Sequence, residues 1–266
     1  MGQIHPTAVV EPGARVDGSV AIGPYCVVGP EVSLAEGVVL HSHVVVTGRT
    51  SVGPRSEIFP FASIGHRPQD LKFRGETSEL IIGAGNVIRE HVTMNPGTEG
   101  GGMVTRVGDR GLFMMGSHVA HDCQIGDNVI MANNATLAGH VVVGDNVIIG
   151  GLSAVLQFVR IGRNAMIGGM SGVEQDVIPF GLVMGERASL SGLNLVGLKR
   201  SDMPRDEIQM LQEAFRSLFR GEGTMAERLD EVERSCGAAS VVDELVAFIR
   251  ADSAHGICQP KRRNGG

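Results

Sequence analysis

Residues 125–130 read "IGDNVI" and residues 143–148 read "VGDNVI", a near-copy 18 residues on. The interval divides by three. Steps of six from Ile4 meet Val10, Val16, Ile22, Val28, Leu34, Leu40, Val46, Val52, Ile58 and Ile64. The phase lapses through "HRPQDLKFRGETSEL", returns at Ile82, Ile88 and Met94, and lapses again through "GTEGGGMVTR". It then holds from Val107 through Phe113, Val119, Ile125, Met131, Leu137, Val143, Ile149, Val155, Ile161 and Ile167 to Val173. Four residues after each apolar position stands a small or branched side chain, as at Ala8, Cys26, Val32, Ala135, Val147, Ser153 and Ser171. Neither a helical period nor strict alternation gives this register. A short strand and a tight turn repeated every six residues does. Three such units close a triangle, so one coil takes 18 residues. Each coil buries its apolar layer only against its neighbours, about 4.8 Å away.

The composition agrees with a core built in thin layers. The 266 residues include 38 Gly, one Tyr and no Trp, so large rings cannot fill the interior. The glycines follow no G-X-Y period, which excludes collagen. A net charge of −6 argues against a nucleic-acid partner. Cys26, Cys123, Cys236 and Cys258 show neither metal-ligand nor disulfide spacing and read as free thiols of a reducing compartment. "MGQIHPTAVV" lacks the basic head and apolar run of a signal peptide. No run of about 18 apolar residues suggests a membrane span. The expectation is a soluble cytoplasmic protein without stable membrane insertion.

The repeat resembles that of the hexapeptide-repeat acyltransferases over residues 4 to about 190. That resemblance implies an all-β left-handed parallel β-helix, an exception to the usual right-handed crossover. After about residue 198 the period becomes helical. "PRDEIQMLQEAFRSLFRG" spaces Ile208, Leu211, Phe215, Leu218 and Phe219 on one face, with Pro204 suited to a first turn and Gly221 to an end. Thr224 and Glu227 form a capping-box pattern, and "SVVDELVAFIR" reads as a further helix. The tail "QPKRRNGG" reads as frayed. The chain thus divides into a β-helix over 1–190, with excursions at about 66–81 and 97–106, and a small α-helical domain over 191–266.

The repeat also gives addresses to "SHVAHD", residues 117–122. Val119 and, four on, Cys123 point inward, so Cys123 reads as a buried, inert thiol. His121 and Asp122 point outward, where the core does not need them and where they would ordinarily be solvated. Adding 18 places Gly139 beside His121 and Gln157 beside Gly139, while Asp122 lies under His140. A glycine next to a histidine leaves room for a substrate and exposes a backbone N–H. Acyl transfer from an activated thioester needs a base of near-neutral pKa and a donor for the developing oxyanion. It needs no covalent nucleophile, and no Ser–His or exposed Cys–His pair offers one.

"GSHVAHDCQIGDNVIMANNATLAGHV", "IGGLSAVLQF", "SIGHRPQDLKF" and "GLNLVGLKR" together resemble the UDP-N-acetylglucosamine acyltransferases of lipid A biosynthesis. The resemblance implies a homotrimer with sites in clefts between prisms. It implies that His121 is the general base, Asp122 its orienter and the Gly139 N–H the oxyanion donor. His118, His140 and Gln157 would line the substrate pockets. Asp70 and Lys72 would contact the sugar nucleotide, and Asn194 and Arg200 would hold its diphosphate and uridine end. Gly169 would limit acyl length and, being small, admit a long 3-hydroxyacyl chain. The donor would be acyl carrier protein, an acidic partner to which Arg205, Arg216 and Arg220 on one helix offer a docking face. No cofactor or metal is implied.

The chain departs from that pattern at Asn95 and Pro96 in "VTMNPGT", at Leu156, and at Ser201. The first two lie near the reacting sugar in the family's layout, so the acceptor could be a UDP-sugar carrying a 3-amino group in place of the 3-hydroxyl. A zinc enzyme of the γ-carbonic anhydrase type, which takes three histidines across a subunit interface and for which His118, His121 and His140 are available, is a further alternative. That family lacks the helical domain and the "QDLKF" segment. The related N-acyltransferase carries an added N-terminal domain, for which the repeat beginning at Ile4 leaves no room.

Overall fold

A computed structural model describes residues 3–201, 203–235 and 240–261. Cys236 and the tail from residue 262 onward, both singled out above, lie outside the described residues. Among the described residues, short strands, all parallel but the last, stack into three sheets of nine, eight and ten strands. The first face carries Ser63–Ile64, Thr93–Met94 and His118–Val119. The second carries Glu79–Ile82, Val104–Val107 and Gln124–Ile125. The third carries Val87–Ile88, Leu112–Phe113 and Ile130–Met131. Regular coils pair residues 18 apart, as Ser63 with Val45 and His118 with Thr136.

In almost every strand the second residue is the buried one, and it is the residue picked out by the six-residue step. Val28, Ile58, Ile64, Val119, Leu137 and Ile149 are all fully buried. The positions four residues on are buried too, including Cys26, Val44, Ser56, Cys123 and Ala135. Full burial of a Val, Leu or Ile contributes about 1.5–3 kcal/mol, so the repeated layer is the main source of stability. Many corners are turned by a residue in the left-handed region, among them Asn128, Asn146 and Asn164 at φ 55°, 58° and 57°. Asn tolerates that conformation better than most residues. Each of these three N–H groups donates to an Asp carbonyl of the preceding coil at 2.8 Å, which offsets the strain.

Both lapses of the repeat leave at the same edge, between the first and second faces. Residues 65–78 bridge Ser63–Ile64 to Glu79–Ile82, and residues 95–103 bridge Thr93–Met94 to Val104–Val107. We call this the excursion edge.

The last coil is finished by Gly181–Met184 and the antiparallel Ser189–Leu193, so the third sheet runs on to Leu193. Helices α1 (Leu195–Arg200), α2 (Arg205–Arg220), α3 (Met225–Ser235) and α4 (Ser240–Arg250) follow. Pro204 and Gly221 bound α2, which buries Ile208, Leu211, Phe215 and Leu218. Thr224 and Glu227 form the expected capping box: the Thr224 N–H donates to the Glu227 carboxylate at 2.7 Å, and the Glu227 N–H to the Thr224 hydroxyl at 3.3 Å. After α4 the chain returns to the prism, where Ile257 bridges to Asp176.

Candidate active site

Three consecutive coils build the centre of the excursion edge. His118–Val119 pairs with Thr136–Leu137, which pairs with Ala154–Val155. The residues beyond these strands therefore stack, His121 with Gly139 and Gln157, and Asp122 with His140 and Phe158. The His140 N–H donates to the His121 carbonyl at 3.0 Å, and the Phe158 N–H to the Gly139 carbonyl at 3.2 Å. Asp122, His140 and Phe158 take φ of 61°, 63° and 65°, so all three turn the corner alike.

His121 and Asp122 lie outside the core, as their addresses require, but they are not solvated. They are 6% and 4% exposed. The second excursion covers them: a Cβ on Gly97 would stand 2.8 Å from the Asp122 carboxylate, and one on Gly101 would collide with it. Asp122 is held on several sides. Its Oδ1 accepts the Thr98 N–H at 2.8 Å and its Oδ2 the Thr98 hydroxyl at 2.6 Å. Its own N–H donates to the Thr105 hydroxyl at 2.7 Å. Oδ2 also lies 2.8 Å from His121 Nδ1. A carboxylate can only accept, so Nδ1 carries the proton and Nε2 keeps a free lone pair.

That lone pair sits beside Gly139. A Cβ there would stand 2.7 Å from Nε2 and collide with Cε1. The Gly139 N–H donates to none of the described residues. The edge of His140 meets His121 at 5.0 Å between centroids, and Phe158 stacks on the far face of His140 at 4.4 Å. Burial lowers the pKa of His140, with Asp122 opposing it. Burial likewise lowers the pKa of His118, whose Nδ1 shares a 2.7 Å hydrogen bond with Thr93. Cys123 is fully buried and its thiol is pushed up to about 12, as expected of an inert core residue.

The first excursion also reaches this corner. Asp70 and Lys72 lie in a turn in which Asp70 Oδ1 accepts the Lys72 N–H at 2.9 Å, and the charges of both act on His140. Asn194 and Arg200 stand elsewhere, lining a cleft of about 740 Å³ with Arg163, Asn164 and Met166 on the third face and its edge with the second. Asn194 is buried. It caps α1 by accepting the Gly197 N–H and donates to the Asn164 carbonyl. Gly169 lies at the remaining edge, beside Gly151. One chain thus gathers Asp70, Lys72, His118, His121, Asp122, Gly139, His140 and Gln157 at one edge, and places Asn194, Arg200 and Gly169 apart from it. Arg205, Arg216 and Arg220 are exposed along α2.

Thr93, Thr98 and Thr105 were not singled out in the sequence. Thr98 and Thr105 fall where the six-residue phase lapses, so no address exists for them. The three-histidine set does not form within the chain. Among the described residues, the ligand atoms that lie within 4.8 Å of one another belong to His121, Asp122 and His140, with the Asp122 oxygens already engaged by Thr98.

Comparison with known proteins fits this geometry. A model of bacterial transferase hexapeptide repeats matches residues 105–139 and 140–175. One described as UDP N-acetylglucosamine O-acyltransferase, domain 2, matches residues 176–258. An Azorhizobium caulinodans protein named acyl-[acyl-carrier-protein]--UDP-N-acetylglucosamine O-acyltransferase is 54% identical over 97% of this chain and 96% of its own. The chain belongs to the UDP-N-acetylglucosamine O-acyltransferase family. The Caulobacter vibrioides protein of the same name is 52% identical over 97% of this chain and 98% of its own. The solved UDP-N-acetylglucosamine acyltransferase of Campylobacter jejuni superposes with a TM-score of 0.92, at 39% identity over 97% of this chain and all of that one. The left-handed β-helix followed by helices, expected from the repeat and the resemblance, is this family's fold.

Proposed function

We propose that the chain transfers an (R)-3-hydroxyacyl group from acyl carrier protein to the 3-hydroxyl of UDP-N-acetylglucosamine, the first step of lipid A biosynthesis, in the cytoplasm. The observation that carries this is the buried His121–Asp122 pair set against Gly139 in a chain whose whole-length relatives bear that name. His121 Nε2 takes the proton from the sugar hydroxyl as its oxygen attacks the thioester carbonyl. The Gly139 N–H donates to the oxyanion that forms. Collapse breaks the carbon–sulfur bond, and the imidazolium returns its proton to the departing carrier thiolate. Asp122 holds the imidazole in the useful tautomer and stabilises its charged form. Such general-base chemistry is worth about 10²- to 10⁴-fold. The donor is already activated, so the step calls on no cofactor or metal.

Asp70, Lys72, His118, His140 and Gln157 supply the pocket around the reacting atoms. Asn194 and Arg200, in their separate cleft, suit the nucleotide and its diphosphate. A homotrimer joins the two regions by setting the excursion edge of one chain against the cleft of the next. Gly169 leaves space for a long acyl chain, and Arg205, Arg216 and Arg220 offer the acidic carrier an exposed cationic face. The hydroxyl acceptor is preferred to the 3-amino sugar because relatives at 52–54% identity over nearly the whole chain are named O-acyltransferases.

The test is purified enzyme with acyl carrier protein charged with several 3-hydroxyacyl lengths, against the hydroxyl and amino UDP-sugars, with the product identified. Folded His121→Ala protein should lose at least about 10²-fold in kcat. Near-normal transfer by that variant would refute the reading.

A further inference from the structure

Asn95 is only 4% exposed, yet its amide serves the surface of the molecule. Its backbone N–H donates to the Val119 carbonyl, which sets it in the coil next to the catalytic one. Its Nδ2 donates to the His66 carbonyl at 3.0 Å and reaches the Arg67 carbonyl at 3.5 Å. Those are the first residues of the first excursion. The far root of that excursion is tied as well, since the Gly97 N–H donates to the Glu79 carbonyl at 3.2 Å and the Glu99 N–H to the Glu76 carboxylate at 3.3 Å. Between the roots the chain rises to Leu71, which is 96% exposed. The apolar layers alone give no reason for an amide at residue 95. Its Oδ1 is buried without a partner among the described residues, a cost of about 1–3 kcal/mol that an aliphatic side chain would avoid.

We propose that Asn95 is a positioning residue: its amide pins the root of the first excursion and thereby sets where Asp70 and Lys72 stand over the catalytic corner. Its side chain acts through the backbone of the excursion, at the His66 and Arg67 carbonyls. The effect on sugar-nucleotide binding rests on the acyl-transfer reading, whereas the pinning does not.

Two readouts on Asn95→Ala test this, with Asn95→Leu as a second variant that keeps the branched side-chain skeleton without its hydrogen-bonding groups. The first is trypsin cleavage after Lys72 and Arg74, both exposed. With the pin gone it should speed up about five- to tenfold, the worth of one net hydrogen bond. The second is steady-state kinetics. KM for UDP-N-acetylglucosamine should rise by a similar factor, while KM for the acyl carrier protein stays within about twofold. A folded variant whose cleavage rate and sugar-nucleotide KM match the wild type overturns the proposal. If the wild-type enzyme transfers no acyl group to this sugar, the acyl-transfer reading fails, and unchanged cleavage or faster cleavage still decides the pin.

Discussion

The His121 imidazole lies against Gly139 so closely that a β-carbon on residue 139 would stand 2.7 Å from Nε2. The His121 ring therefore leaves no room for a side chain at residue 139. Gly139→Ala should push the ring off its Asp122 partner and occupy the space of the reacting carbonyl. We expect kcat to fall about 10²- to 10³-fold, comparable to loss of an oxyanion donor, with a lower melting temperature as the His121–Asp122 bond is lost. Single-turnover kinetics on the folded variant measures this. A rate within about threefold of wild type would separate Gly139 from the chemistry.

Thr98 carries two of the hydrogen bonds that fix Asp122, one from its N–H and one from its hydroxyl. Thr98→Val removes only the hydroxyl. Hydrogen bonds to charged groups are worth about 1.5–3 kcal/mol, so stability should drop by that order and kcat by about tenfold. Asp122→Asn should cost far more, up to about 10⁴-fold, because an amide can donate to Nδ1 and hold the wrong tautomer. Chemical denaturation and kcat together rank the two variants, and equal losses would contradict the tautomer argument.

Burial lowers the pKa of both His118 and His140 from the usual 6.5. Above that value both are neutral in the folded and unfolded chains, and they contribute no pH dependence. As pH falls below it, the unfolded chain binds protons that the folded chain refuses. Stability therefore declines from about pH 6.5 down to the folded-state values, then levels off. A His118→Gln, His140→Gln double variant should lose less melting temperature than wild type between about pH 7 and pH 5. Parallel profiles for the two proteins would show that other groups govern the acid limb.

Cys123 neighbours His121 and Asp122 in sequence, yet its thiol faces the core and is pushed up to about 12. Thiolate is the reactive form, so iodoacetamide at about pH 8 should leave Cys123 unmodified in the folded protein and label it only after denaturation. Peptide mass spectrometry locates the label. Rapid native labelling at residue 123 would contradict the inward address.

Asp176 is fully buried and accepts both the Arg160 N–H, at 2.7 Å, and its guanidinium, at 2.7 Å. Its backbone also holds the returning C-terminal segment through Gly256 and Cys258. Asp176→Ala leaves Arg160 without its carboxylate and should cost about 3–5 kcal/mol. A urea titration that shows less than about 1 kcal/mol would mean that water takes over the carboxylate's place.

The repeat made the inward residues legible, because a fixed period gives each one an address without reference to its neighbours. It also stacked His121, Gly139 and Gln157 correctly. It failed where the period lapses. An outward address said that His121 and Asp122 lie off the core, but not that Thr98 and Gly101 would cover them. Asn194 was legible as a motif residue and not as the cap of a short helix. The 2.7 Å bond from His255 to the Gln157 carbonyl joins residues 98 apart and follows no local pattern.

Extra length in this chain collects at one edge. Most neighbouring coils pair residues 18 apart, but Ser63 pairs with Thr93 and Thr93 with His118, and the surplus lies wholly in the two excursions. A residue inserted into a strand would slip that strand by one and turn its inward side chain outward, or force a bulge in the coil. At the excursion edge, insertion alters no other coil. The prism can therefore hold its architecture constant while the loops beside His121 and Asp122 lengthen, shorten or change composition. Mutational drift at that edge has the freedom to remodel the surroundings of His121 and Asp122 without putting the fold at risk.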